Sequence, residues 1–182
     1  VFDRGKVGDT WRNKRWDSFC LVTQNWQCQL PGFPYLGDDP EGFMSKNEII
    51  DYIERYVQHF NPPLMSNVNV NKIYYDYSKA LFIVDSSIGT YHTRKVVIAA
   101  GTYHKNRIPA TADNLSKEIA QLHSSEYKNP EALPEGGVLV AGSGQSGCQI
   151  VEDLQHSGRK AYLCVSGAPR IPRRYRGRDI LQ

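Results

Sequence analysis

Three glycines, Gly142, Gly144 and Gly147, stand at GxGxxG spacing within Val138-Leu139-Val140-Ala141-Gly142-Ser143-Gly144-Gln145-Ser146-Gly147. At this spacing the first glycine permits a tight turn, the second lets backbone approach a pyrophosphate, and the third lets helix and strand pack closely. A helix starting here would offer its unpaired N–H groups and positive dipole end to phosphates, with Gln145 and Ser146 in its first turn. The flanking sequence supports the motif. An apolar run precedes it, Ile150, Val151 and Leu154 follow at helical spacing, and a second apolar run covers Ala161 to Val165. Strand, glycine turn, helix, strand is the setting in which GxGxxG predicts dinucleotide binding.

The end of that second strand separates the two nicotinamide dinucleotides. An acid about 20 residues past the first glycine would hold the ribose hydroxyls of NAD. No acid occurs between Asp153 and Asp179; Ser166, Arg170, Arg173, Arg174, Arg176 and Arg178 occur instead. A guanidinium binds the 2′-phosphate of NADP, which a carboxylate would repel. NADP is therefore expected over NAD.

The elements around the motif form a longer α/β arrangement. Val1 to Gly5 reads as the end of a strand, with Asp3 at the position of a ribose-binding acid. Residues 6–42 read as a long loop rich in Trp, Gly, Pro and Asp, whose aromatics would pack locally or wall a flat cofactor. Ser45 to Phe60 is a helix opened by a Ser45–Glu48 capping box and stopped at Asn61-Pro62-Pro63, with Ile49, Ile50, Ile53, Tyr56, Val57 and Phe60 on its apolar face. Val68–Tyr77, Leu81–Asp85 and Thr90–Arg94 predict a β-meander. Val96 to Gly101 predicts a buried strand ending in glycine, where a ligand could approach the backbone. Residues 102–136 are expected to link two units, 1–110 and 111–182.

Composition narrows the function classes. The net charge is +3, yet from Arg159 onward there are seven basic residues and one acid. A nucleic-acid arm is disfavoured, because the arginines fall where a phosphate clamp belongs and no aromatic-interleaved surface accompanies them. No apolar run approaches the ~20 residues that cross a bilayer, so no membrane partner is expected. Cys20, Cys28, Cys148 and Cys164 form no CxxC pair and no metal-ligand cluster. Cys148 and Cys164 read as small core residues, and a reducing, cytoplasmic setting is expected.

The chain resembles the class B flavoprotein monooxygenases, the flavin-containing monooxygenases and their bacterial relatives. The resemblance is carried by Gly8-Asp9-Thr10-Trp11 with Arg15-Trp16-Asp17-Ser18-Phe19, by Leu30-Pro31-Gly32-Phe33-Pro34, by Ile98-Ala99-Ala100-Gly101-Thr102-Tyr103 leading to Pro109, by His123-Ser124-Ser125-Glu126-Tyr127, and by the glycine turn, all in the family's order. It implies an FAD- and NADPH-dependent oxidoreductase, of monooxygenase type, acting on a small-molecule substrate. It also implies a Rossmann-like flavoprotein fold of two dinucleotide-binding domains, with a partial FAD-binding domain in 1–110 and a partial NADP-binding domain in 111–182. Asp3 would then hold the FAD ribose, Thr10, Trp11 and Trp16 would line the flavin, Val70 would lie beside the adenine, and Gly101 near the pyrophosphate or flavin. No side chain is assigned as catalytic acid, base or nucleophile.

Two departures qualify the resemblance. Lys117 and Ile119 stand where the family usually has Phe and Gly. The chain also opens after the family's first glycine loop, so the fold is expected to be incomplete at both ends. FAD would bind weakly, and the partner would be a second copy or the remainder of a longer chain. The alternative is a non-catalytic NADP- or nucleotide-binding module lacking a working FAD site.

Overall fold

The computed structural model describes residues 1–101, 105–167 and 172–180, which divide into two compact units meeting at Asn129/Pro130. Residues 111–129 therefore pack with the first unit.

In the first unit the helix α2, Lys46–Phe60, is held at both ends as its sequence dictates. The Glu48 N–H donates to Ser45 Oγ at 3.4 Å, and the Ser45 N–H donates to Glu48 Oε2 at 2.7 Å, completing the capping box. Asn61 ends the helix in a left-handed conformation, φ 42°, its N–H donating to the Val57 carbonyl. Ile49 and Ile50 are buried, but Phe60 is half exposed. Tyr52, absent from the expected apolar face, is buried in its place. Its hydroxyl accepts the Leu30 N–H at 3.2 Å and is shared between the carbonyls of Cys28 and Phe33.

Tyr52 therefore fastens the long loop to the helix. Met44, Ile49 and Tyr52 form a core against which Trp11, Leu21, Leu30, Phe33, Tyr35 and Ile53 pack. The loop is not featureless. It contains a short helix α1, Asp9–Asn13, and a 3₁₀ turn, Asn25–Gln27. The buried amides of Gln24 and Asn25 donate to the carbonyls of Glu41 (3.1 Å) and Asp39 (2.8 Å), satisfying backbone that lies outside any ladder.

The meander forms as expected, with β1 Val70–Asp76, β2 Leu81–Ser86 and β3 Gly89–Thr93 antiparallel in that order. Ile83 and Val84 on the central strand are buried. The N-terminal segment adds a parallel bridge between Phe2 and Met65. Val96 to Ala100, expected as a buried strand, is neither: it lies outside the sheet, with Val97 88% and Ile98 77% exposed. A strand persists beside a hydrogen-bonded neighbour, and no described strand of this unit runs alongside this segment.

The second unit contains β4 Val138–Ala141, α3 Gln145–His156 and β5 Ala161–Cys164, with β4 and β5 parallel and Val138 opposite Ala161. Leu154 is fully buried beneath the helix and Ile150 is nearly so. The Arg159 guanidinium gathers the carbonyls of Pro130, Leu133, Pro134 and Gly136, shaping the segment that leads into β4. A hairpin of β6 Arg174–Tyr175 and β7 Arg178–Asp179 follows β5. Cys148 and Cys164, expected in the core, are both exposed. Their helix and strand present these positions on surfaces that no described residue of the unit covers.

Within the first unit, Asp17 ties three segments together. Its carboxylate accepts from Lys46 Nζ at 2.7 Å, at the start of α2, and from Asn129 Nδ2 at 2.8 Å, while its N–H donates to the Lys128 carbonyl. Lys128 Nζ in turn donates to the carbonyls of Asn13 and Arg15. The hydrogen bonds from Lys46 and then Asn129 hold the Asp17 carboxyl below the ordinary aspartate range. A lowered folded pKa stabilises the native state above the unfolded value, near 4, and that contribution disappears as pH falls through the folded value. Asp17 is more than half exposed, so solvent screening keeps the contribution small. Asp17→Asn is therefore expected to lower the melting temperature at pH 7 and to flatten its fall between about pH 5 and 3, as measured by thermal melts across that range.

Candidate functional site

The glycine turn connects β4 to α3, and each glycine has a separate physical reason to be there. Gly142 has φ +113°, a conformation side chains avoid, and its N–H donates to the Cys164 carbonyl at 2.9 Å. A Cβ at Gly147 would lie 1.9 Å from the Gly142 carbonyl oxygen, so nothing larger than hydrogen fits between turn and helix. Gly144 is the N-cap of α3, is extended rather than left-handed, and makes no side-chain cap. A Cβ there would meet nothing within 4 Å. The N-terminus of this twelve-residue helix thus has open space at Gly144 and no side-chain cap. That geometry can receive a phosphate group.

The Gly142–Cys164 bond also brings the end of β5 beside the turn, so Ser166 emerges next to the glycines. Arg170 lies outside the described residues. Arg174 is exposed on β6. Arg173 is engaged differently from the sequence expectation: its Nε donates to Asp179 Oδ2 at 2.5 Å, and that carboxylate is only 6% exposed. Asp179 entered the sequence reading only as the next acid along the chain. The Arg176-Gly177 turn, which folds 178–180 back on 173–175, was the signal that would have placed it beside Arg173.

The residues expected near a flavin lie in the first unit, and the structure separates them by depth. Asp3 is exposed; its Oδ1 accepts the Gly5 N–H at 2.9 Å, and its carbonyl accepts the Val68 N–H. This places it near the start of β1, where Val70 is 41% exposed and the pairing with β2 slips between Val70 and Lys72. Thr10 is exposed on α1. Trp11 is half buried, packed on Phe19 with ring centroids 5.5 Å apart and with the Arg15 guanidinium 5.2 Å from its own centroid. Trp16 does not line a surface. It is 2% exposed, packs edge-on to Phe19, and its Nε1 has no hydrogen-bond partner. Trp11 and Phe19 are thus backed by Trp16. Gly101 is exposed with φ +77°, immediately before residues outside the described set.

The segment His123 to Tyr127 leads into Lys128, whose Nζ bonds this loop. Its turn is closed by His123 N–H to Glu126 Oε2 at 2.7 Å and by Ser125 N–H to His123 Nδ1 at 3.2 Å, and Tyr127 is buried. Among the described residues no group of His, Cys, Asp and Glu is arranged to hold a metal, and no described helix is long and apolar enough to cross a membrane. Burial pushes the Cys28 thiol up, away from reactivity.

A parallel βαβ unit closed by a GxGxxG turn, preceded by a unit with a β-meander and a folded aromatic loop, is part of the two-dinucleotide-binding-domain flavoprotein fold. The chain belongs to the pyridine nucleotide-disulphide oxidoreductase family, whose sequence profile matches residues 1–176. It is similar to an uncharacterised CzcO-like oxidoreductase of Geobacillus kaustophilus, 43% identical over 91% of this chain and 46% of the relative. It is also similar to an Arabidopsis thaliana protein named a probable indole-3-pyruvate monooxygenase, YUCCA1, 30% identical over 87% of this chain and 39% of the relative. Among solved structures, a flavin-containing monooxygenase from Stenotrophomonas maltophilia superposes with a TM-score of 0.76 at 22% identity, covering 88% of this chain and 48% of that one. The chain spans less than half the length of these relatives.

The three glycines predict different responses to one added methyl. Gly147→Ala forces the helix off the turn, and overpacking of this kind costs about 1–3 kcal/mol. Its expected outcome is a lower melting temperature together with lost dinucleotide binding. Gly144→Ala is expected to melt within a degree or two of the parent yet bind dinucleotide more weakly, because its methyl projects only into the space a phosphate would use. Calorimetry paired with NADPH titration distinguishes the two patterns.

Proposed function

We propose that this protein works as an FAD-dependent oxidoreductase drawing reducing power from NADPH, of monooxygenase type, on a small-molecule substrate. The observation that carries the reading is the glycine turn: a helix N-terminus with no side-chain cap, whose approach to the turn tolerates only glycine at 147, followed in sequence by a strand and an arginine-rich stretch without acids up to Asp179. The names of the relatives, two monooxygenases among them, support the same direction. When bound, FAD and NADP supply the redox chemistry itself, and the protein's part is to bind, orient and shield them.

This chain's own residues divide that work. Gly142, Gly144 and the first turn of α3, Gln145 to Gly147, would receive the NADP pyrophosphate. Ser166 and the arginines at 170 and 174 would favour the 2′-phosphate over a bare ribose. Asp3 would accept hydrogen bonds from the FAD ribose, with Val70 backbone near the adenine and Gly101 giving close approach. Thr10 and Trp11 would face the flavin, while Trp16 stiffens the wall behind them. None of these groups is asked to transfer a proton, which fits chemistry carried by cofactors. The reading places the protein in the cytoplasm, without nucleic acid as a partner, and working beside a second copy or further chain.

Two titrations test it. NADPH is expected to bind at least tenfold more tightly than NADH, since a charge-assisted contact to phosphate is worth about 1.5–3 kcal/mol. Protein supplied with excess FAD is expected to show a shifted flavin absorbance band and to consume NADPH with oxygen. Equal affinities for the two dinucleotides would overturn the cofactor assignment. NADPH binding without any flavin signal would favour a non-catalytic nucleotide-binding module.

A further inference from the structure

We propose that Asp179 is a positioning residue for dinucleotide selection, one that commits Arg173 to the fold of the hairpin and leaves Arg174 to meet the 2′-phosphate. The inference rests on the NADP reading above. The hairpin turns at Arg176 and Gly177, with φ of 51° and 78°. Two successive left-handed residues match the twist of a tight two-residue hairpin. Arg174 pairs with Asp179 and Tyr175 with Arg178, and the Ile180 N–H donates to the Arg173 carbonyl at 2.9 Å.

Four arginines within this short span, at 173, 174, 176 and 178, repel one another unless an anion is placed among them. Asp179 is that anion. A carboxylate 6% exposed is costly to bury unless paired, and Arg173 Nε at 2.5 Å offsets that cost. A guanidinium held this way cannot swing freely toward a ligand. Arg174, one residue on, is exposed and makes no ion pair among the described residues. Arg176 stacks its guanidinium against the Tyr175 ring, 5.2 Å from the centroid, which leaves Arg174 the better placed to take a phosphate. Asp179 acts a second way. Its negative charge opposes a dianionic phosphate nearby, so it tempers the preference that the arginines create.

The test is a set of dissociation constants for NADPH and NADH, measured by fluorescence titration on Arg174→Gln, Arg173→Gln and Asp179→Asn. Arg174→Gln is expected to weaken NADPH about tenfold or more and leave NADH within about twofold. Arg173→Gln is expected to lower the melting temperature and leave the NADPH-to-NADH ratio within about twofold. Asp179→Asn is expected to raise that ratio about two- to fivefold by removing a repulsive charge, with NADH unchanged. A collapse of the ratio in Arg173→Gln as large as in Arg174→Gln would overturn the proposal. So would parallel weakening of both dinucleotides in a folded Asp179→Asn. Should Asp179→Asn not fold, the two arginine variants still decide. A parent protein with no NADPH preference would refute the underlying NADP reading, an outcome separate from either of these.

Discussion

One contact governs the second unit: the approach of the α3 backbone at Gly147 to the carbonyl of Gly142, closer than any side chain allows. That proximity lets a four-residue strand, a turn and a helix stack tightly enough to bury Leu154 and Ile150. It also directs the first turn of the helix outward, with its N–H groups unspent. The packing and the anion-receiving surface are therefore the same constraint seen from two sides. The parallel partner strand joins the arrangement through the Gly142–Cys164 hydrogen bond, two residues before Ser166.

The first unit is held by another principle. It contains a long loop with little regular ladder, and polar side chains supply the bonds that a sheet would otherwise provide. Tyr52 fastens residues 28–33, Gln24 and Asn25 fasten 39–41, and Asp17 with Lys128 fastens 13–17 to 128–129. The ring contacts of half-buried Trp11 and buried Trp16 with Phe19, itself buried, add to these fastenings.

Features written in local periodicity or turn chemistry were legible in the sequence. The Ser45–Glu48 box, the Asn61-Pro62 stop, the meander and the βαβ unit around the glycine turn all follow from residue types at fixed offsets. What depends on distant partners was not legible. Tyr52 lies off the periodic apolar stripe because its task is to bond a loop some twenty residues away. Val96 to Ala100 has strand composition, but composition carries no information about whether a neighbour is at hand. Trp16 was read as part of the wall because aromatic residues in a loop look alike in sequence, while depth distinguishes it from Trp11. The engagement of Arg173 by Asp179 is not legible along the chain, because the carboxylate arrives through a tight turn.

Arg159 has a consequence for the order of events during synthesis. Its guanidinium bonds carbonyls 23 to 29 residues earlier in the chain, in the segment that sets where β4 begins. Next to it the Val138 N–H donates to the Lys160 carbonyl, the first rung between the two strands. A strand slipped by one residue would turn its whole buried set outward. Until residue 159 has left the ribosome, the carbonyls of residues 130–136 lack this guanidinium. A ribosome adding about 5–20 residues per second leaves this stretch without its anchor for a second or more. The glycine turn is by then already synthesised, so it exists as sequence before the strand leading into it has a defined alignment. The unit closes from its C-terminal side, with a single side chain as the clasp.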